Sequence, residues 1–382
     1  MVKSSSAFSD SKKHFKVLDA LRGVAAIVVV LFHVLEIYSG GNHIEQLINH
    51  GYLAVDFFFM LSGYVMAHAY DDRWDRMSLK DFFKRRVIRL HPMILLGMTF
   101  GALCFYFGAS DYFPRIAETP FWELILITLI GYTLIPVPPS MDIRGWNEMH
   151  PLNGPAWSLF LEYIANVLHA LVLRKLSKAI LAVLVFIAAV ALIHLAVTSP
   201  KGDLIGGWSV EPEQLRIGFT RLLFPYMAGM LLRRAVKVIT IKNTFLLCSL
   251  LLIFLLSFPR IGGYENLWAN GLYDSLTVII AFPIIIYLGA SGEVKSGVAD
   301  RISVFLGDIS YPIYIIHYPF TYIFYAWVLN NEIPLNQGIV VGIGVLVFTL
   351  VLSYASLKFY DEPVRKWLAR RFMDNKTKNI KA

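Results

Sequence analysis

Charge is what this chain has least of. Asp, Glu, Lys and Arg make up only 16% of its 382 residues against 57% hydrophobic ones, and the mean hydropathy is +0.58. That balance excludes an ordinary soluble domain. Cysteine is nearly absent too. Cys104 and Cys248 are the only two, both inside apolar runs, so a disulfide framework is excluded, no metal site is expected, and both read as packing residues. Residues 1–16 are polar, Ser- and Lys-rich and lack the apolar centre of a signal peptide, so they are expected to form a short disordered cytoplasmic leader. No repeat of fixed period, no attached soluble domain and no Gly-x-Ser-x-Gly elbow is present. The net charge of +8 does not point to nucleic acid, because Lys and Arg cluster in a few short loops and the tail, where the positive-inside rule puts them.

What the chain has in abundance is long apolar runs. Eleven occur, at about 17–38, 52–70, 90–109, 121–138, 156–173, 179–198, 215–232, 243–258, 268–290, 304–329 and 336–360. The basic stretches 174–178, 233–242 and the C-terminal tail are all placed inside, which puts 141–155 outside. Counting forward from a cytoplasmic N-terminus puts 110–120 outside as well. The run between them therefore enters and leaves on one face. With Pro136, Pro138 and Pro139 at its end, it reads as a re-entrant or interfacial segment. The expected fold is all-α: a polytopic bundle of about ten transmembrane helices plus that segment. The leader is 1–16, the transmembrane domain 17–360 and the basic cytoplasmic tail 361–382, with both termini inside. A competing count keeps eleven crossings and tolerates one violated loop.

Inside these runs sit residues that are costly in hydrocarbon. The first helix carries Asp19, Arg22, His33 and Glu36. At about 100° per residue, eleven residues from Arg22 to His33 return to within roughly 20° of one face, about 16 Å along the axis. Asp19 and Glu36 fall on the same side, where helix-end flanking explains them nearly as well. A neutral imidazole at His33 can serve as a general base, with Glu36 one turn on as orienting partner. The bland reading is a structural histidine bonded to a neighbouring helix. Asp56 in the second run can face the same cavity, and Ser62-Gly63 can permit close helix approach. Arg86 and Arg89, three apart, form a candidate phosphate clamp or a topological flank. Ser158 stands one turn from Glu162, so a hydrogen bond is expected to hold that carboxylate inward, with Trp157 at the interface. Late in the chain, Ser310, Tyr314 and His317 share a face, with Tyr311, Tyr318 and Tyr322 adding hydroxyls. This face can line a polar chamber, contact sugars through its rings, or simply pack.

Five motifs in order resemble those of the acyltransferase 3 family of bacterial integral-membrane O-acyltransferases. They are Arg22 and His33 with ten residues between, the segment DFFFMLSGY, Arg86 and Arg89, Trp157 to Glu162, and Ser310-Tyr311 with Tyr314 and His317. The resemblance implies transfer of an acyl group, most often acetyl, from cytoplasmic acyl-CoA to a hydroxyl of a cell-surface or exported glycan across the inner membrane. On that basis Arg22, Arg86 and Arg89 are expected to hold the donor. His33 would act as general base or accept the acyl group, with Glu36, Asp56 and Glu162 as catalytic candidates beside it. Trp157, Ser158, Ser310, Tyr311, Tyr314 and His317 would contact substrate. No permanently bound cofactor is expected, since acyl-CoA is a co-substrate. The chain ends about twenty residues after its last run, so a stand-alone form without a fused extracytoplasmic domain is expected. The rival reading is a polysaccharide or small-molecule transporter using the same buried polar groups, although such folds commonly carry repeats and paired broken helices.

Overall fold

A computed structural model describes residues 14–294 and 297–373. Most of the expected leader and the last nine residues of the tail lie outside the described residues. In chain order the helices are α1 Lys16–Glu36, α2 Ala54–Tyr70, α3 Leu79–Cys104, α4 Arg115–Glu118, α5 Phe121–Thr133, α6 Ala156–Leu171 and α7 Lys178–Thr198. They continue with α8 Pro212–Ala235, α9 Thr244–Leu256, α10 Leu267–Leu276, α11 Phe282–Ser291, α12 Val298–Asn330, α13 Leu335–Ser356 and α14 Glu362–Phe372. Five-residue π turns join α10 to α11 and α13 to α14. Among the described residues the only strands are Ile241–Lys242 and Gly292–Glu293, paired in parallel.

Seven helical stretches are long and apolar enough to cross a bilayer, so this is a multi-pass membrane protein. They are α1, α2, α3, α6, α7, α10–α11 and α13–α14 with their short extensions. α8 and α12 are long enough as well, 24 and 33 residues, but more polar. α5 and α9 are apolar but have only 13 residues each. At 1.5 Å per residue that is about 20 Å, short of about 30 Å of hydrocarbon. In α5 the helix stops where Leu134 turns left-handed (φ 59°) ahead of the proline cluster. α7 and α13 leave large apolar side chains exposed, such as Phe186 and Val351, as a lipid-facing surface requires.

The core is organised by two close helix pairs, α1 along α12 and α2 along α8. Between lipid-solvated helices, small residues let backbones approach and gain dispersion contact. A Cβ on Gly63 would lie 2.0 Å from the Tyr226 carbonyl oxygen, and one on Gly229 would lie 2.0 Å from that of Met60. The two glycines thus clasp α2 and α8 reciprocally. In α12, Pro319 lacks the N–H that would bond Ile315 four residues back. The freed Ile315 carbonyl accepts from Asn153 Nδ2 at 2.7 Å, tying the loop before α6 to the middle of α12.

Candidate active site

Two cavities with charged side chains in their walls lie within the bundle. The first, about 540 Å³, opens at the end where α1 begins and α14 lies, and its wall includes Arg22, Arg86, Arg89, Glu162 and Arg365. Arg22 Nε donates to Ser310 Oγ at 2.7 Å, its Nη2 donates to the Gly307 carbonyl at 3.4 Å, and Asp19 stands 3.6 Å away. Arg86 is buried and pairs with Glu162 at 2.8 Å, an oxygen that also accepts from Ser62 at 3.2 Å. Arg89 lines the same wall, is exposed, and makes no hydrogen bond or ion pair among the described residues. Its five donors are thus free for an anion.

The second cavity, about 270 Å³, holds His33, Glu36, Glu148 and Arg221, with Trp146, Trp157 and Trp208 in its wall. His33 Nδ1 lies 3.1 Å from Glu36 Oε2, which also accepts from the Tyr325 hydroxyl at 3.1 Å. A carboxylate on Nδ1 fixes the proton there and leaves the Nε2 lone pair directed away. Nε2 has no hydrogen bond among the described residues. The His317 ring stacks on that of His33 at 5.6 Å, and the Tyr318 ring meets it edge-on at 4.6 Å. The imidazole is therefore held in orientation as well as in tautomer.

The same cavity is braced by a loop. Asp142 accepts from the backbone N–H groups of Arg144, Gly145 and Asn147, and Arg144 lies over the Tyr322 ring at 3.4 Å. Tyr322 donates to Glu148, whose carboxyl is pushed up to about 8 by burial.

The residues singled out by sequence divide between these cavities differently from expectation. Arg22, Arg86 and Arg89 do share one wall. Of the three carboxylates considered for His33, only Glu36 touches it. Glu162 is in the other cavity, on Arg86. Asp56 lines neither; it is fully buried against Arg221, with Oδ2 2.6 Å from Nη2. The expected Ser158–Glu162 bond is not made, because the Ser158 hydroxyl is engaged by Tyr314 at 2.7 Å and by the Pro155 carbonyl at 3.0 Å. Ser310 and Tyr311 line the first cavity, where Tyr311 donates to the Leu90 carbonyl at 2.6 Å. Tyr314 borders both cavities, Trp157 the second, and His317 neither. Sequence reading passed over Arg221, a charged residue in mid-run that should have drawn attention. It also passed over Glu148, which sits in a loop where a carboxylate carries no signal.

Membrane-length helices around a histidine–carboxylate pair, with an arginine-lined cavity at one end, define a membrane-embedded enzyme site. The chain belongs to the acyltransferase 3 family: the family's sequence model, described as an acyltransferase domain, matches residues 15–358. It is thus an acyltransferase, which decides against the transporter reading. It is similar to "Protein 2 in picA locus" of Rhizobium radiobacter, 32% identical over half of this chain and 96% of that one. It is also 21% identical to O-acetyltransferase OatA of Staphylococcus aureus and 22% identical to peptidoglycan O-acetyltransferase OatA of Listeria monocytogenes, over 93% of this chain in each case. The match spans only 58% and 56% of those two relatives. No solved structure matches the chain.

Proposed function

We propose that the chain moves a short acyl group, acetyl, from cytoplasmic acyl-CoA to a hydroxyl of a cell-envelope glycan on the outer side of the inner membrane. The observation that carries this reading is the placing of an unpaired arginine in one cavity and an oriented, free imidazole nitrogen in the next. Coenzyme phosphates dock at Arg89 and Arg22, with Arg86 lending shape while its charge is met by Glu162. The pantetheine arm runs along α1, and the about 16 Å from Arg22 to His33 is within its reach.

His33 Nε2 then takes the proton of the acceptor hydroxyl as its oxygen attacks the thioester carbonyl. The C–O bond forms, the C–S bond breaks, and the leaving thiolate takes the proton back from the imidazolium. Glu36 holds the tautomer and balances the transient charge. The tryptophans of the second cavity suit the apolar faces of a sugar ring, and peptidoglycan, named for the Listeria relative, is one glycan of this kind. In this topology α8, α12 and the short α9, which follows the basic, inward-placed 233–242 stretch, join the seven long apolar stretches to give ten crossings, α5 with both flanks outside does not cross, and both termini are cytoplasmic.

The test uses membranes of the producing cells with labelled acetyl-CoA. His33→Ala should abolish ester-linked label in glycan while the protein still inserts. Retained labelling in that variant would overturn the mechanism.

A further inference from the structure

The two cavities adjoin across a narrow shared boundary, the neck between them. Among the described residues only Val55 of α2 and Tyr314 of α12 line both of them. Anything passing between the arginines and His33 passes these two side chains.

Both sides of the neck are pinned. Val55 is followed by Asp56, whose carboxylate is gripped by Arg221 through contacts of 2.6, 3.2 and 3.3 Å. Arg221 also donates to the Tyr52 carbonyl at 2.8 Å and the Gly206 carbonyl at 3.0 Å, fixing the turn that leads into Val55. Opposite, the Tyr314 hydroxyl is held by Ser158 at 2.7 Å and reaches the Pro155 carbonyl at 3.3 Å, while Phe58 meets its ring edge-on at 5.5 Å. A buried ion pair contributes little net stability but specifies geometry where its partners are fully engaged. Neither side can swing away without breaking these contacts, so Val55 and Tyr314 are held in place between the two cavities.

Beyond it the space is small. The second cavity, about 270 Å³, must hold the sugar hydroxyl against His33 together with the incoming acyl group. Each extra methylene must find room among Val55, Tyr314 and the acceptor.

We propose that Val55 and Tyr314 form an acyl-length gauge, with Val55 the residue that confines the enzyme to acetyl. This rests on the acyl-CoA reading above and uses the same step, in which the thioester C–S bond is exchanged for an ester C–O bond. Excluding one methylene by a close-fitting pocket is worth about 10- to 200-fold in rate.

The experiment replaces the native protein in its own cells with Val55→Ala, Val55→Ile and Val55→Phe. Incorporation of labelled acetyl, propionyl and butyryl groups from their CoA thioesters into base-labile glycan esters is then measured in the membranes. Donor affinity is read separately by titrating purified protein with desulfo-CoA. Wild-type protein should favour acetyl over propionyl by at least about tenfold. Val55→Ala should raise the propionyl-to-acetyl ratio by about tenfold, Val55→Ile should lower it, and Val55→Phe should suppress acetyl transfer, all with desulfo-CoA affinity unchanged. A Val55→Ala or Val55→Ile variant that loses all three activities together or keeps the wild-type ratio, or a Val55→Phe variant that keeps full acetyl transfer, overturns the gauge. Wild-type membranes that incorporate none of the three groups overturn the acyl-CoA reading itself.

Discussion

Glu36→Gln isolates what the carboxylate contributes to His33 with almost no change of shape. The contact is 3.1 Å from Nδ1 to Oε2, and the same oxygen accepts from Tyr325. The His33 and Glu36 side chains are 18% and 32% exposed, so the pair is neither buried nor fully screened. A hydrogen bond to a charged group contributes about 1.5–3 kcal/mol against about 0.5–1.5 for a neutral one. Partial exposure puts this pair at the lower end, so losing the charge costs the transition state about 1 kcal/mol, or roughly fivefold. The amide has a second effect. With its nitrogen in the place of Oε2, it presents N–H to Nδ1 and to the Tyr325 oxygen, which moves the imidazole proton to Nε2 and removes the base. The combined expectation is a loss of about 10- to 100-fold in kcat, with KM for the donor unchanged because the arginine cavity is untouched. Initial rates of glycan acylation at saturating acetyl-CoA read this directly. A Glu36→Gln enzyme within about twofold of wild type would refute Glu36 as the orienting group, whatever His33→Ala does.

Arg89→Ala should raise KM for acyl-CoA about tenfold while sparing kcat, since it removes one charge-assisted contact and leaves no buried partner behind. Arg86→Ala is expected to behave differently: it strands Glu162, whose side chain is only 21% exposed, and should lower stability by about 3 kcal/mol, seen as an earlier melt in detergent. Glu148→Gln tests the loop carboxyl. Its folded-state pKa of about 8 lies above the ordinary value of 4.5, so the folded chain keeps a proton that the unfolded chain gives up. The stability contributed by this group is complete below about pH 4.5 and is lost as pH rises through about 8. Melting of the wild type in detergent should therefore come earlier from pH 5 to pH 9, and the Gln variant should flatten that slope.

How much of this was legible in the chain depends on whether a contact is local. Arg22, His33 and Glu36 lie on one helix, so their common face follows from rotation per residue, and α1 shows Glu36 on His33. The three prolines that close the run at 121–138 are equally local, and α5 ends just ahead of them. Contacts between helices could not be read. Three carboxylates were equally eligible for His33 because sequence does not say that Arg221, 165 residues from Asp56, claims that group, or that Arg86 claims Glu162. Ser158 illustrates the limit within a single turn. Its spacing from Glu162 permits a bond, but the Tyr314 hydroxyl arriving from α12 engages it first.

The division of charge between the cavities bears on direction. In the first, Arg86 is met by Glu162 and Arg365 by Asp361 at 2.8 Å, so the free attraction for an anion comes to rest on Arg89. In the second, Glu36 lines the wall, Glu148 keeps its proton below about pH 8, and the arginine of the wall is already occupied by Asp56. A donor carrying several phosphates gains by staying beside Arg89 and would lose by advancing past Val55 and Tyr314 toward Glu36. The acyl group is uncharged and incurs no such cost. On the proposed reading the neck therefore needs no moving gate to keep coenzyme inside: the charge pattern holds back its phosphates, and only the acyl end reaches His33.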